Sequence, residues 1–189
     1  MARSILSGIA EIERIINSLL DFTRDTKLER GEYEVSRILD PVIEAVRSEG
    51  RARGVEVSYG RVDRDVVASA DGQRLRQVFA NVMKNALEAI DTRRADGRVT
   101  VNLFAEEDRA VVEVIDNGAG IAPEDRDKIF LPFFTTKPSG TGLGMAIVKK
   151  IVDLHGGDIG VDSAPGRGTR VRVSLPAVVI AQSIAGGTP

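Results

Sequence analysis

The sequence predicts an α+β protein, a two-layer α/β sandwich preceded by one long helix. Three observations predict it. Apolar residues recur at helical spacing in four separate stretches, and shorter runs between them alternate as strands do. The two clearest strand pairs are each joined by a short polar or glycine-rich turn, which makes the strand set mostly antiparallel.

In residues 4–24, Ile5, Ile9, Ile12, Ile16 and Leu19 alternate spacings of four and three. Leu6, Ile15 and Leu20 widen the stripe, while Glu11, Glu13 and Arg14 hold the outer face. A stripe of that width suits a four-helix bundle. Residues 25–30 form a charged link and 32–35 a short strand. The second helix starts at Ser36 or at Asp40-Pro41, because proline is tolerated only in a first turn, and it ends near Gly54. Residues 55–59 and 66–70 read as strands flanking a turn. Asp71 caps the next helix, whose apolar positions are Leu75, Val78, Phe79, Val82, Ala86, Ala89 and Ile90. After the break at Ala95-Asp96-Gly97, residues 99–105 and 110–116 form a hairpin around the polar turn 106–109. The last helix carries Leu143, Ala146, Ile147 and Ile151 and ends at His155-Gly156-Gly157. Residues 158–162 and 169–175 make a second hairpin, and the uncharged segment 177–189 reads as a tail or linker.

Composition excludes several classes. A chain of 189 residues with 42% hydrophobic content suits one domain of ordinary size plus an appendage. A net charge of −2 without a basic run argues against a nucleic-acid partner. The absence of cysteine excludes disulfide and thiolate chemistry and is compatible with a reducing, cytoplasmic compartment. The apolar runs are too short to span a bilayer, so a membrane anchor, if the parent protein has one, is expected outside this stretch.

Two glycine clusters carry the chemistry. Asp116-Asn117-Gly118-Ala119-Gly120-Ile121 follows the apolar run 111–115, which places the aspartate at a strand end. Gly140-Thr141-Gly142-Leu143-Gly144 instead feeds a helix. Unpaired backbone N–H groups at such a helix start form an anion cradle suited to a phosphate chain. Upstream, Asn81 and Asn85 lie one turn apart on one helix face. Solvated asparagines would explain them, but asparagine is a mediocre helix former and the pair calls for a reason.

The order of Asn81 to Ala89, Asp116 to Ile121, Phe130 and Gly140 to Gly144 resembles the catalytic ATP-binding domain of sensor histidine kinases, in the GHKL superfamily. His155-Gly156-Gly157 and Pro165-Gly166-Arg167-Gly168-Thr169 are similar to that family's closing elements, and the likeness covers residues 32–176. It implies the Bergerat fold, with residues 31–176 as catalytic domain and 1–30 as link and second helix of the dimerisation domain. It also implies ATP and Mg²⁺ as cofactors. Asp116 is then the adenine reader, because a carboxylate accepts from the exocyclic amino group of adenine and guanine presents none there. Asn85 supplies a hard, neutral oxygen to a magnesium ion that arrives with the nucleotide, and Asn81 helps orient water or phosphate. Gly118 and Gly120 let the backbone bend around the base, beside Ile121. Phe130 opens a lid in which Lys137 is either a phosphate contact or a solvated lysine. Gly140, Thr141, Gly142, Leu143 and Gly144 contribute chiefly backbone N–H groups, and Thr169 closes the site. Of Phe130, Phe133 and Phe134, at least one is expected in the core. Residues 135–141, with few apolar anchors, are expected to be the most mobile part without nucleotide.

Asn81 bears on the reaction. Members that hydrolyse ATP, such as gyrase, and the anti-sigma serine kinases carry a glutamate base at this position. A neutral imidazole is already nucleophilic, so asparagine favours transfer to histidine. Glu88 sits at a different offset and does not replace the base. The sole histidine, His155, reads as a helix cap, and the family's phosphoacceptor helix is not in this stretch. The resemblance therefore implies a kinase portion that acts on a histidine supplied from elsewhere, with a response-regulator receiver as the next partner. The alternatives are a regulatory nucleotide-binding module and a GHKL ATPase or serine kinase. The broad apolar face of 4–24 predicts a homodimer through that helix.

Overall fold

The computed structural model describes residues 27–137 and 140–178, together with Ile16, Leu19, Leu20 and Thr23. Those four are helical, and Thr23 Oγ1 donates to the Leu19 carbonyl at 2.9 Å. The rest of the predicted N-terminal helix lies outside the described residues, as do Pro138, Ser139 and most of the tail.

The elements run β1 (Gly31–Glu34), α1 (Val35–Ala52), β2 (Glu56–Val62), β3 (Val67–Ala70), α2 (Gly72–Glu88), β4 (Arg98–Glu106) and β5 (Arg109–Asp116). Two 3₁₀ turns, Pro123–Asp125 and Lys128–Phe130, precede α3 (Gly144–Leu154), β6 (Asp158–Ser163) and β7 (Thr169–Pro176). A five-stranded sheet has the order β2-β4-β5-β7-β6, with the three helices over one face. All its pairings are antiparallel except β2 with β4. β1 and β3 form a separate antiparallel pair, so the two strands predicted to flank a turn belong to different sheets.

Period-two patterning builds the sheet's inner face. Val99, Val101 and Leu103 on β4 alternate with half-buried or polar residues, as do Val173 and Leu175 on β7, while on β5 Ala110, Val112 and Val114 take the core face and Val111, on the opposite face, is buried too. The register sets Val101 against Val114 and Val112 against Val173, so these side chains form continuous rows. Onto them α2 lays Leu75, Val78, Phe79, Val82, Met83 and Leu87, all essentially inaccessible. Burial at about 25 cal/mol per Å² of apolar area makes this interlayer contact the main source of stability.

Three expectations need correcting. α1 begins at Val35, one residue before the predicted start at Ser36, so the alternative start at Asp40-Pro41 fails and Pro41 lies inside the helix rather than in a first turn. Its position is exposed, and the carbonyl it leaves without a helical partner can turn to solvent. None of Phe130, Phe133 and Phe134 is in the core: the first and last are half-buried and Phe133 is 63% exposed. The segment joining β5 to α3 lies outside the packed layers, which aliphatic side chains already fill. Finally, the tail predicted from residue 177 starts out tied to the strands. The N–H groups of Ala177 and Val178 donate to Asp108 and Val67 carbonyls at 2.8 Å each, and Ala177 bridges to Ala68.

Candidate functional site

The site is built against α2. Asp71 is its cap, with Oδ1 accepting from the N–H groups of Gln73 and Arg74 at 3.0 Å each. The other oxygen takes the Glu29 N–H at 3.1 Å, and Arg30 donates to the Leu154 carbonyl at 2.8 Å. The end of the predicted charged link is thus tied to the domain. His155 completes this junction: its Nε2 accepts the Asp71 backbone N–H at 2.9 Å, and Nδ1 lies 2.7 Å from the Ile151 carbonyl. Those partners define one neutral tautomer, with the proton on Nδ1. Burial pushes the imidazole pKa below its ordinary value. With both nitrogens engaged and 1% exposure, His155 is a structural cap with no free nitrogen to accept phosphate.

Further along α2, Asn81, Asn85 and Glu88 follow at intervals of four and three and share one face. The asparagines are half-buried and Glu88 is exposed. Beyond the helix, the Ala89 carbonyl accepts the Ala119 N–H at 2.9 Å, which joins the end of α2 to the loop after β5.

That loop begins at Asp116, 6% exposed at the strand end, whose Oδ1 accepts the Gly118 N–H at 2.8 Å. The carboxylate is therefore both turn cap and pre-oriented acceptor. Burial raises its pKa from the ordinary aspartate value, against the backbone N–H groups of Gly118 and Thr169 and the charge of Lys137. Gly120 has φ +72°, and an added Cβ would run into the Ala164 carbonyl, so only glycine serves there. The Ile121 N–H donates to Ser163 Oγ at 2.8 Å. Ser163 in turn meets the Gly168 carbonyl at 2.9 Å and Thr169 Oγ1 at 3.0 Å, so Thr169 stands behind Asp116 as part of a buried hydroxyl pair.

The far wall is the segment before α3. Phe130 lines a groove of about 480 Å³ with Pro132, Ala146 and Leu154 on the outer side of α3. The Phe133 N–H donates to the Gly142 carbonyl at 3.0 Å, and both residues have positive φ, 67° each. A Cβ on Gly142 would strike the Phe133 backbone, so this glycine sets the loop's shape. Gly140 donates to the Lys137 carbonyl at 3.1 Å, and Thr141 Oγ1 accepts the Leu143 N–H at 3.4 Å. Leu143 is a fully buried core residue, and a Cβ added at Gly144 would meet open space. Lys137 reaches back across the site, its Nζ 3.2 Å from Asn85 Oδ1 and 2.6 Å from Glu88 Oε2.

Two contacts and one residue escape sequence reasoning. Glu88 and Lys137 are 49 residues apart, and nothing local marks them as partners. Ser163 reads as an ordinary strand-end residue. The His155–Asp71 bond joins two caps 84 residues apart, although each cap is visible alone. The donor set fits nucleotide and magnesium: an ammonium already rests on the Asn85 oxygen, which shows that this position accepts a cation. Among the described residues no group of three or more His, Cys, Asp or Glu side chains could hold a metal, so a nucleotide would have to supply the remaining ligands.

A buried strand-end carboxylate, an asparagine helix and a glycine loop opening a further helix, all on an α/β sandwich, define a nucleotide-binding ATPase-type domain. Residues 70–179 match the family described as histidine kinase-, DNA gyrase B-, and HSP90-like ATPase, and the chain belongs to that family. Sporulation kinase D of Bacillus subtilis is 34% identical over 169 residues, which is 89% of this chain but 33% of that protein. The chain thus spans about a third of that relative's length. The solved catalytic domain of histidine kinase ThkA matches with TM-score 0.71 and 30% identity, over 79% of this chain and 96% of that one. ThkA in complex with the response regulator protein TrrA matches at 0.76 and 26%, over 92% and 49%. Full-length ShkA in complex with AMPPNP matches at 0.80 and 27%, over 93% and 39%.

Proposed function

We propose that this chain is the ATP-binding catalytic portion of a two-component sensor histidine kinase. It directs the γ-phosphoryl group to a histidine outside this sequence, from which a response-regulator aspartate takes it. The observation that carries the reading is that three separate segments bring Asp116, Asn85 and Lys137 to one site, within a fold shared with histidine-kinase catalytic domains. The AMPPNP bound by ShkA and the TrrA partner of ThkA support ATP and a receiver domain as ligands here.

In this reading Asp116 accepts the adenine amino group, and the loop Gly118 to Ile121 packs beside the base. The N–H groups of Thr141, Gly142 and Gly144 and of the first turn of α3 hold phosphate oxygens, while those of Gly140 and Leu143 are engaged within the loop. Asn85 offers its amide oxygen to the metal, Asn81 orients water or phosphate one turn back, and Lys137 neutralises phosphate charge. Magnesium, when bound with the nucleotide, supplies further charge neutralisation. These residues position and stabilise, and none is a general base, as suits an acceptor imidazole that needs none.

Residues 1–30 serve as the second dimerisation helix and link, and 31–178 as the catalytic unit. Ile16, Leu19 and Leu20, 51%, 39% and 52% exposed, present an apolar face that a second copy covers in a homodimer. Calorimetric titration with ATP and GTP tests the nucleotide reading. ATP is expected to bind and GTP to bind at least tenfold more weakly, as loss of a hydrogen bond to a charged acceptor, worth about 1.5–3 kcal/mol, requires. Equal affinity for the two would overturn Asp116 as the base reader.

A further inference from the structure

Asn85 Oδ1 and Glu88 Oε2, one turn apart on α2, grip the same cation, the Lys137 ammonium, at 3.2 and 2.6 Å. The oxygens are hard, one neutral and one anionic, and they come from a helix whose inner face is locked in the core. The lysine comes from a separate segment and reaches them across the site. Such a pair is also what a small divalent cation seeks, since two carrier oxygens together with phosphate and water complete its shell. A divalent ion and an ammonium cannot share the Asn85 oxygen without strong repulsion.

We propose that Asn85 and Glu88 form one cation-receiving pair, that Lys137 is its built-in occupant, and that the metal delivered with the nucleotide exchanges with it. The exchange releases Lys137 to the phosphates, where its charge is next needed. Glu88 makes the exchange selective. Its carboxylate attracts the metal on a metal-loaded nucleotide, but it repels the phosphates of metal-free ATP and keeps Lys137 from them. Glu88 is therefore a positioning and selectivity residue, with no proton-transfer role. This inference rests on the nucleotide reading above.

Calorimetric titration of the whole chain with ATP, once with Mg²⁺ and once in EDTA, tests it. In Glu88→Gln the ratio of metal-free to metal-loaded Kd is expected to fall by roughly three- to fivefold, as befits a partly exposed charge pair. Glu88→Asp should recover most of the ratio, and the melting temperature should stay put in both, since Glu88 contributes nothing to the core. An unchanged ratio in Glu88→Gln, with wild type binding ATP normally, would overturn the exchange alone. If wild type bound no ATP in either condition, the nucleotide reading would fall and take the exchange with it. A second readout needs no nucleotide: the Lys137 ε-methylene NMR signal should shift in Glu88→Gln. A signal that moved neither there nor on adding Mg²⁺ and ATP to wild type would also overturn the proposal.

Discussion

Asp116 illustrates how one side chain can be local structure and site at once. Accepting from Gly118 fixes the carboxylate's direction, and burial strengthens any further hydrogen bond it accepts. Asp116→Ala is expected to weaken ATP binding by tenfold or more while leaving a folded domain, as titration and circular dichroism together would check. The same burial makes a pH prediction. The ionised form accepts the adenine amino group, and the pKa is raised, so affinity should fall on acidification at a pH above the ordinary aspartate value near 3.9. A midpoint at or below that value would contradict the burial argument. Asn85→Ala should remove most of the Mg²⁺ dependence of ATP binding, and a dependence equal to wild type would show that the metal is held elsewhere.

At the scale of elements, the contact between the ends of α2 and α3 through His155 is the most consequential. His155→Ala leaves the buried Asp71 N–H without its partner and opens a cavity, which together should lower stability by about 2–4 kcal/mol in denaturant unfolding. The folded state holds the imidazole neutral, with its pKa depressed. The unfolded chain therefore binds more protons as pH drops. Stability is full above the unfolded-state value near 6.5 and declines as pH falls from there through the folded value. A His155→Gln chain should lack that acid-side slope. Element boundaries were largely legible because period-two and period-3.6 patterns are local, as in the β4–β5 and β6–β7 hairpins and the Asp71 cap. The parallel pairing of β2 with β4 and the separate β1–β3 ribbon were not, because partners distant in sequence leave no trace in periodicity. For the same reason, the glycine loops and Asn85 were readable as motifs, whereas the Glu88–Lys137 pair depends on how two elements meet.

For the whole molecule, two claims go beyond the catalytic unit. The first is self-association. Each large aliphatic side chain left in water forgoes about 1.5–3 kcal/mol, and Ile16, Leu19 and Leu20 alone present three. Sedimentation at tens of micromolar is expected to show a dimer that Ile9→Asp combined with Ile16→Asp dissociates. A monomer unaffected by those changes would rule the dimer out. The second is the division of labour proposed above, in which this chain holds the nucleotide and the acceptor histidine belongs to another helix. Both ring nitrogens of its own His155 are committed within the fold, which leaves no internal acceptor imidazole. The most direct test is incubation with γ-labelled ATP and Mg²⁺ beside a separately supplied dimerisation domain bearing the acceptor histidine, such as that of ThkA. The account predicts acid-labile, base-stable label on the supplied domain, dependent on Asn85 and Asp116, and none on this chain. Label on His155, or steady phosphate release without any acceptor, would contradict it.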